Sequence, residues 1–325
     1  MKLFLRLLKE SFVFSFNALI ANPVRTVLSL LGVTIGIFTI IAVLSTVDSL
    51  EKSIKDNLSF LGTDNLRVEK WPWDFNNPSY EWWKFFRRPE PTYREYEFLK
   101  DNLVNAEAVE ILTSREGVNV KYSNNSSRID NLNGVVFENQ FFGDWEFIAG
   151  RFFTENETLT GSNAAIIGYK IMDDLFKSPD FAIGKQIKIK GKSYTIIGVT
   201  KEQGESFGAG DSFDRQMFIP FNSFKKIFKV GRKGSNAVLR VKGNGDEDPG
   251  LVNLEYELRG LIRAKRGIKP IEDDSFAINR PEYLASFVSS IFATISIAGW
   301  VIGLSLIHIS EPTRQEAISY AVFCL

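Results

Sequence analysis

Apolar residues gather in two blocks, and the stretch between them is mixed in character. The first block, residues 26–47, reads TVLSLLGVTIGIFTIIAVLSTV and carries no charge over 22 residues. At ~1.5 Å rise per residue, a helix of that length crosses a ~30 Å hydrocarbon core. A buried helix of a soluble protein would share the composition. A cleaved signal peptide fits less well, because the block is too long and lacks a small-residue cleavage pattern. The second block, residues 284–303, reads LASFVSSIFATISIAGWVIG and would carry the chain back across. The pattern divides the chain into a leader (1–25), a first span (26–48), a lobe (49–283) and the start of a second span (284–303).

Inside the lobe the period changes from element to element. Leu50, Ile54 and Leu58 recur at spacing four and extend the first helix past the membrane, with Gly62 as its stop. Residues 65–70 alternate as a strand. Thr92 with Glu95 forms a capping box, which predicts a helix from Tyr93 to about Asn102. Strands are expected over 109–112 and 118–122, the latter before a turn at Asn124, Asn125, Ser126 and Ser127. Further strands fall at 164–167, 217–219 and 237–241, and a short helix at 171–176. The clearest hairpin is KQIKIKGKSYTIIGV, residues 185–199, with its turn at Gly191 and Lys192. Residues 202–213 form a glycine-rich loop. Leu251, Leu254, Leu258, Leu261 and Ile262 mark one face of a helix closed by Gly267. Strands and helices mix without a strict βαβ rhythm. This predicts an α+β domain, mixed sheets with helices, inserted between transmembrane helices.

Charge orients the first span. Lys2, Arg6, Lys9 and Arg25 precede it, against Glu10 alone, which sets the N-terminus in the cytoplasm and the lobe outside. The leader mixes these cations with Phe4, Leu5, Leu8, Phe12 and Phe16. That suits an amphipathic helix in the headgroup region, or a plain extension of the span. Across the whole chain 39 basic residues balance 39 acidic ones, so nothing points to nucleic acid as a partner.

The end of the chain is of another kind. LSLIHISEPTR, residues 304–314, is identified codon for codon as the translation of a transposase-type sequencing adapter. ISYAVFCL, residues 318–325, is likewise the translation of the outer flow-cell adapter. The expectation is that 304–325 is a foreign tail and that the native frame continues past Gly303 into further spans. His308 and Cys324, the only histidine and the only cysteine, lie in that tail. The rest has no imidazole or thiol chemistry, no disulfide and no Cys/His metal site.

Chemical motifs are absent as well. No G-x-x-x-x-G-K-[ST] loop occurs, so the chain carries no ATP site of its own, and no G-x-S-x-G elbow is present. Asp173 and Asp174, and Glu272, Asp273 and Asp274, read as solvated faces. No catalytic, cofactor-binding or metal-binding residue is assigned, and the chain is not expected to be an enzyme. Two constellations do stand out. Gly32-x-x-x-Gly36 in the first span and Gly299-x-x-x-Gly303 in the second let helix backbones approach closely, with Ser289 and Ala293 extending the second face. Trp71, Trp73, Trp82 and Trp83 crowd into residues 71–86. They cap the core of their own domain, rest in the membrane–water interface, or dock a partner.

NALIANPVRTVLSLLGVTIGIFTIIAV, with Arg25-Thr26 and then Leu31, Gly32, Val33, Ile35 and Gly36, resembles the opening of the MacB/FtsX-like permeases of macrolide exporters and lipoprotein-release systems. LGTDNLRV, then Gly150-Arg151-Phe152-Phe153, AAIIGYKIMDDLF, IGKQIKIKGKSYTIIGV, MFIPFNSFKKIF and RAKRGIKPIEDDSFAI continue the resemblance in order over residues 10–303. The resemblance implies a subunit of the bacterial inner membrane with four helices and a large outer domain between the first two. It implies a homodimer, or a heterodimer with a related permease, held in lipid and served by a separate ABC ATPase. Closure of that ATPase would be transmitted through the helices to the outer domains, pushing substrate outward without passage through the permease itself. The chain departs from this pattern by stopping inside the second helix, without the cytoplasmic loop that would meet the ATPase, so as given it is expected to be a non-functional N-terminal fragment that transports nothing. A membrane-anchored sensor or ligand-binding protein is the alternative, and an anchored envelope hydrolase a weaker third.

Overall fold

The computed structural model describes residues 23–58, 64–73, 80–204, 213–231 and 235–309, with isolated helical positions between 6 and 21. Most of the leader, the tryptophan-rich positions 74–79, most of the glycine-rich loop and residues 310–325 of the expected tail lie outside the described residues. The chain forms two units, Met1–Lys52 with Val288–Leu325, and Ser53–Phe287.

The first apolar block lies in α1, Pro23–Leu58. Proline suits its start, where the missing N–H has no helical partner to lose. The threonines inside it do not break the apolar surface. Thr34, Thr39 and Thr46 each donate to the carbonyl four residues back at 2.8 Å, so no hydroxyl is left seeking water.

The lobe then runs β1 (Asn65–Glu69), α2 (Trp82–Phe85), α3 (Tyr93–Asn102), β2 (Ala106–Tyr122), β3 (Asn125–Val135), β4 (Phe147–Gly150), α4 (Glu155–Thr160), β5 (Ala164–Ile167) and α5 (Tyr169–Leu175). It continues with α6 (Pro179–Ala182), β6 (Gln186–Ile189), β7 (Lys192–Thr200), β8 (Gln216–Pro220), α7 (Phe221–Phe224), β9 (Ala237–Gly243), α8 (Val252–Arg266) and β10 (Ala277–Asn279). The chain leaves through α9, Pro281–Ile309. The strands join one mixed sheet in the order β10-β1-β9-β2-β3-β8-β5-β7-β4, with β6 against β2 and β7. The β3–β8 and β5–β7 pairs are parallel.

β2 explains why one sheet serves two cores. Its first half pairs with β9 and its second half with β3. Val109 and Ile111 face Leu66, Val68, Leu239 and Val241, under Leu99 of α3 and Leu254, Leu258 and Ile262 of α8. Val118 and Val120 belong to a second cluster with Ile129, Ile187, Ile189, Tyr194 and Ile171. The two short strands read at 109–112 and 118–122 are therefore one strand, and the turn after it is Ser123-Asn124, with Ser123 at φ 51°. In the β6–β7 hairpin Ile189 pairs with Lys192, so the two-residue turn is Lys190-Gly191, both at positive φ, rather than Gly191-Lys192.

Gly150-Arg151-Phe152-Phe153 has a structural reason at each place. Gly150 sits at φ 82°, and a Cβ there would collide with the Ile197 carbonyl. Arg151 grips both oxygens of Glu157 at 2.8 Å. Phe153 is buried with Val135, Ala164, Ile166 and Phe218. Glu157 also closes a capping box with Thr154 at the head of α4. The same device at α3 is the one expected from Thr92 and Glu95. There the second oxygen of Glu95 takes Arg266 at 2.6 Å, tying α3 to α8.

Opposite the first core, the sheet buries charge. Arg67, Arg240 and Glu110 stand in register across β1, β9 and β2. Arg240 pairs with Glu110, which is fully buried and also accepts from Asn139 at 2.7 Å.

Two outcomes follow. Glu110→Ala strands the Arg240 guanidinium and is expected to cost about 3–5 kcal/mol in chemical denaturation. The Arg151 hydrogen bonds, aided by those from Thr154, hold the Glu157 carboxyl down at about 2, against an ordinary value of 4.5. Because the folded value is the lower one, this stabilisation is complete above pH 4.5 and fades as pH falls toward 2. Thermal unfolding of Glu157→Gln against pH should lose that part of the acid slope.

Candidate functional site

Among the described residues no group of acidic, histidine or cysteine side chains is placed to hold a metal. What the sequence does build with care is the pair of apolar helices and the point where the lobe joins one of them.

The stretches Thr26–Ile54 and Pro281–Gly303 are each long and apolar enough to cross a membrane. Between them runs a seam of small residues. Gly36 and Gly303 are buried, Gly299 is half-buried and Gly32 is exposed. A Cβ on Gly303 would overlap the Ile40 side chain at Cγ1 and Cδ1. One on Gly299 would only touch Leu44 Cδ2 at 3.8 Å and Val43 Cγ1 at 4.0 Å. Gly36, Ile40 and Leu44 lie four apart on one face of α1, and Phe292, Ser296, Gly299 and Gly303 follow the 3–4 spacing on α9. Glycine here lets Ile40 seat against bare backbone, which is where helix pairs in lipid find packing energy. The structure thus brings Gly36, Gly299 and Gly303 to the covered faces. Gly32 and Ala293 are turned outward.

At the other end of α9 the lobe is joined through one residue. β10 ends at Asn279, α9 begins at Pro281, and Arg280 lies between. Arg280 Nε donates to Glu255 Oε2 at 3.0 Å; its terminal nitrogens reach Glu255 again and the Gly250 carbonyl. Glu255 in turn holds Arg259 at 2.8 Å, Arg259 faces Asp274 at 3.5 Å, and Asp274 takes Arg263 at 2.5 Å. Charges at 255, 259 and 263 fall on one stripe of α8 at spacing four. They clamp the segment that leads into the helix. Asp274 is therefore a bridging anion rather than part of a solvated face. Asp174 likewise accepts from Ser127 at 2.8 Å and from Arg215 at 3.2 Å. Sequence reasoning passed over Arg280 and Glu255. The available signal was an arginine directly before the proline that opens the second apolar block.

The tryptophans divide. Asn279 accepts from the Trp73 backbone N–H at 2.9 Å and donates to the Trp71 carbonyl at 2.8 Å. Trp73 Nε1 donates to Glu69 at 3.2 Å, and Arg67 lies over its ring at 5.4 Å. Trp71 and Trp73 are half-buried and cover the polar edge of their own sheet. Trp82 and Trp83, edge to face at 6.0 Å, are 57% and 56% exposed.

Residues 26–249 match the family described as the MacB-like periplasmic core domain. The chain belongs to the MacB/FtsX-like ABC transporter permease family. It is 24% identical over 323 residues to the macrolide export ATP-binding/permease protein MacB of Wolinella succinogenes, aligning 96% of this chain with 47% of that protein. It is 26% identical over 328 residues to the uncharacterized ABC transporter permease YknZ of Bacillus subtilis, 96% of this chain against 77% of that one. The chain thus spans about half the length of the MacB relative. The solved periplasmic region of MacB from Actinobacillus actinomycetemcomitans superposes with a TM-score of 0.53 at 16% identity, over 73% of this chain and 97% of that one. The α+β lobe expected from the sequence is thus the fold of this family.

The seam yields a double-mutant test. Gly303→Ala should lower the stability of the detergent-solubilised helix pair by about 1–3 kcal/mol through overpacking on Ile40, and Ile40→Ala should recover much of the loss. Gly299→Ala, facing ordinary contacts, should stay close to the parent.

Proposed function

We propose that this chain is the front part of a permease subunit that exports a substrate by moving its outer lobe. The nucleotide chemistry belongs to a separate ATPase, and the chain itself catalyses nothing. It works as one of a pair, with a second copy or a related permease, in the lipid of the bacterial inner membrane. The N-terminus is cytoplasmic, in keeping with Lys2, Arg6, Lys9 and Arg25 ahead of the first span. ATPase closure below draws on the spans, and the lobe, held outside the membrane, tilts and pushes substrate away. The similarity to a macrolide export protein supports an export role.

One observation carries the reading. The last strand of the lobe enters a membrane-length helix through Arg280 alone, and that residue is pinned to α8 by Glu255 and Gly250. A displacement of α9 is then delivered to β10, the edge strand paired with β1, not absorbed by a slack linker. Losing one partner of a half-buried charge pair leaves the other exposed to water or uncompensated, so the joint should slacken.

The test is a distance measurement in the permease continued through its native frame, with the coupling loop, and reconstituted with its ATPase. Any cysteine elsewhere is replaced by serine, and a spin label enters at the exposed turn residue Asn124→Cys. ATP trapping should shift the label–label distance between paired lobes. Arg280→Ala should abolish the shift while ATP hydrolysis continues, and Arg280→Glu with Glu255→Arg should restore it. An unchanged distance in the parent on ATP trapping would defeat the reading.

A further inference from the structure

The aromatic–basic turn around α2 has no role in the proposed function, and among the described residues of the lobe it exposes three large aromatics within five positions. Trp82, Trp83 and Phe86 are 57%, 56% and 65% exposed. Lys84 and Arg87 are exposed among them, and Lys84 pairs with the adjacent-turn Glu81. The turn thus presents indole and phenyl rings interleaved with cations. Three large aromatics in water are unfavourable, and evolution of a soluble face would not place them together.

The turn is also held in a particular place. Ahead of it, Trp71 and Trp73 are stitched to Asn279, the last residue of β10. Tyr80 Oη donates to the Pro72 carbonyl at 3.1 Å and brings the chain back to that point. Behind it, Arg88 donates to the Phe276 carbonyl at 3.0 Å and lies over the Phe85 ring at 4.5 Å. One end of the segment is therefore fastened to the last residue of β10, the strand that feeds α9, and the other to Phe276, the residue just before that strand. Two residues beyond Asn279 the apolar span opens, and Tyr283 in its first turn is itself 51% exposed. Tyr283 and Trp300 are separated by 17 residues along α9, about 26 Å of helix at 1.5 Å per residue, close to the thickness of a hydrocarbon core. Tyrosine and tryptophan prefer the two headgroup layers, so Tyr283 marks one of them within about one helical turn of Asn279.

We propose that Trp82, Trp83 and Phe86, with Lys84 and Arg87, dock the lobe onto the headgroup layer of the membrane its own helices cross, with anionic lipid as the preferred surface. The rings enter the boundary between headgroups and acyl chains while the cations meet lipid phosphates. The contact gives the lobe a second hold on the membrane, beside the helices, on the same strand that Arg280 clamps.

Tryptophan quenching in the full chain tests this. Trp300→Phe removes the indole within the span and leaves five of the six tryptophans. The protein is reconstituted at low protein-to-lipid ratio in phosphatidylglycerol/phosphatidylcholine vesicles carrying a shallow spin-labelled lipid. The proposal expects partial quenching in the Trp300→Phe chain and loss of that quenched component once Trp82 and Trp83 are also phenylalanine. Lys84→Glu with Arg87→Glu, both exposed and so safe for folding, should reduce quenching, as should pure phosphatidylcholine. Equal quenching with and without Trp82 and Trp83 would overturn it. Shielding of these indoles only when protein is concentrated in the bilayer, or only when another protein is added, would overturn it in favour of a second copy or a protein partner.

Discussion

Apolar helix surface that cannot be left in water is the constraint on which everything else depends. Leu28, Leu31, Ile35, Phe38 and Ile41 on α1 and Ile295, Ile297, Val301 and Ile302 on α9 are all exposed. Only a hydrocarbon phase satisfies so continuous a surface, and in that phase every backbone polar group must be bonded within the helix. The threonine back-bonds of α1 meet this demand. So does the reliance on glycine at the seam, because lipid removes the hydrophobic drive that would otherwise join two helices.

The lobe obeys the opposite rule. It buries its apolar clusters against one sheet, and β2 is long enough to belong to two of them. Its charges are organised rather than scattered. Glu110 and Arg240 pair across two interior strands, Glu95 and Arg266 join two helices, and the stripe of α8 closes on Arg280. Surface ion pairs contribute little to stability, but partly buried ones at fixed geometry constrain which groups move together. The joint at Arg280 is of this second kind.

Much of this was legible in the sequence for identifiable reasons. The spans announce themselves by composition. The α3 capping box, the β6–β7 alternation and the α8 face with Gly267 as its stop are local signals, and each appears in the structure. What stayed hidden depends on contacts distant in sequence. β10 has three residues, too few for a period, and exists because β1 offers it an edge. The joining of 109–112 with 118–122 needed β9 on one side and β3 on the other. Arg280 and Glu255 are 25 residues apart and look like ordinary surface charges until β10 is in place. The tryptophans could not be sorted into cover and exposed turn, since that depends on Asn279 reaching back across more than two hundred positions.

The central claim is that α1 carries the chain outward and α9 brings it back, leaving the lobe on the far side of the membrane from the N-terminus. A membrane-impermeant maleimide applied to intact spheroplasts measures this directly in a Cys324→Ser chain. Asn124→Cys in the lobe should react at once, and Lys9→Cys in the leader only after the membrane is permeabilised. Reaction of Lys9→Cys in intact spheroplasts, with Asn124→Cys protected until lysis, would contradict the account.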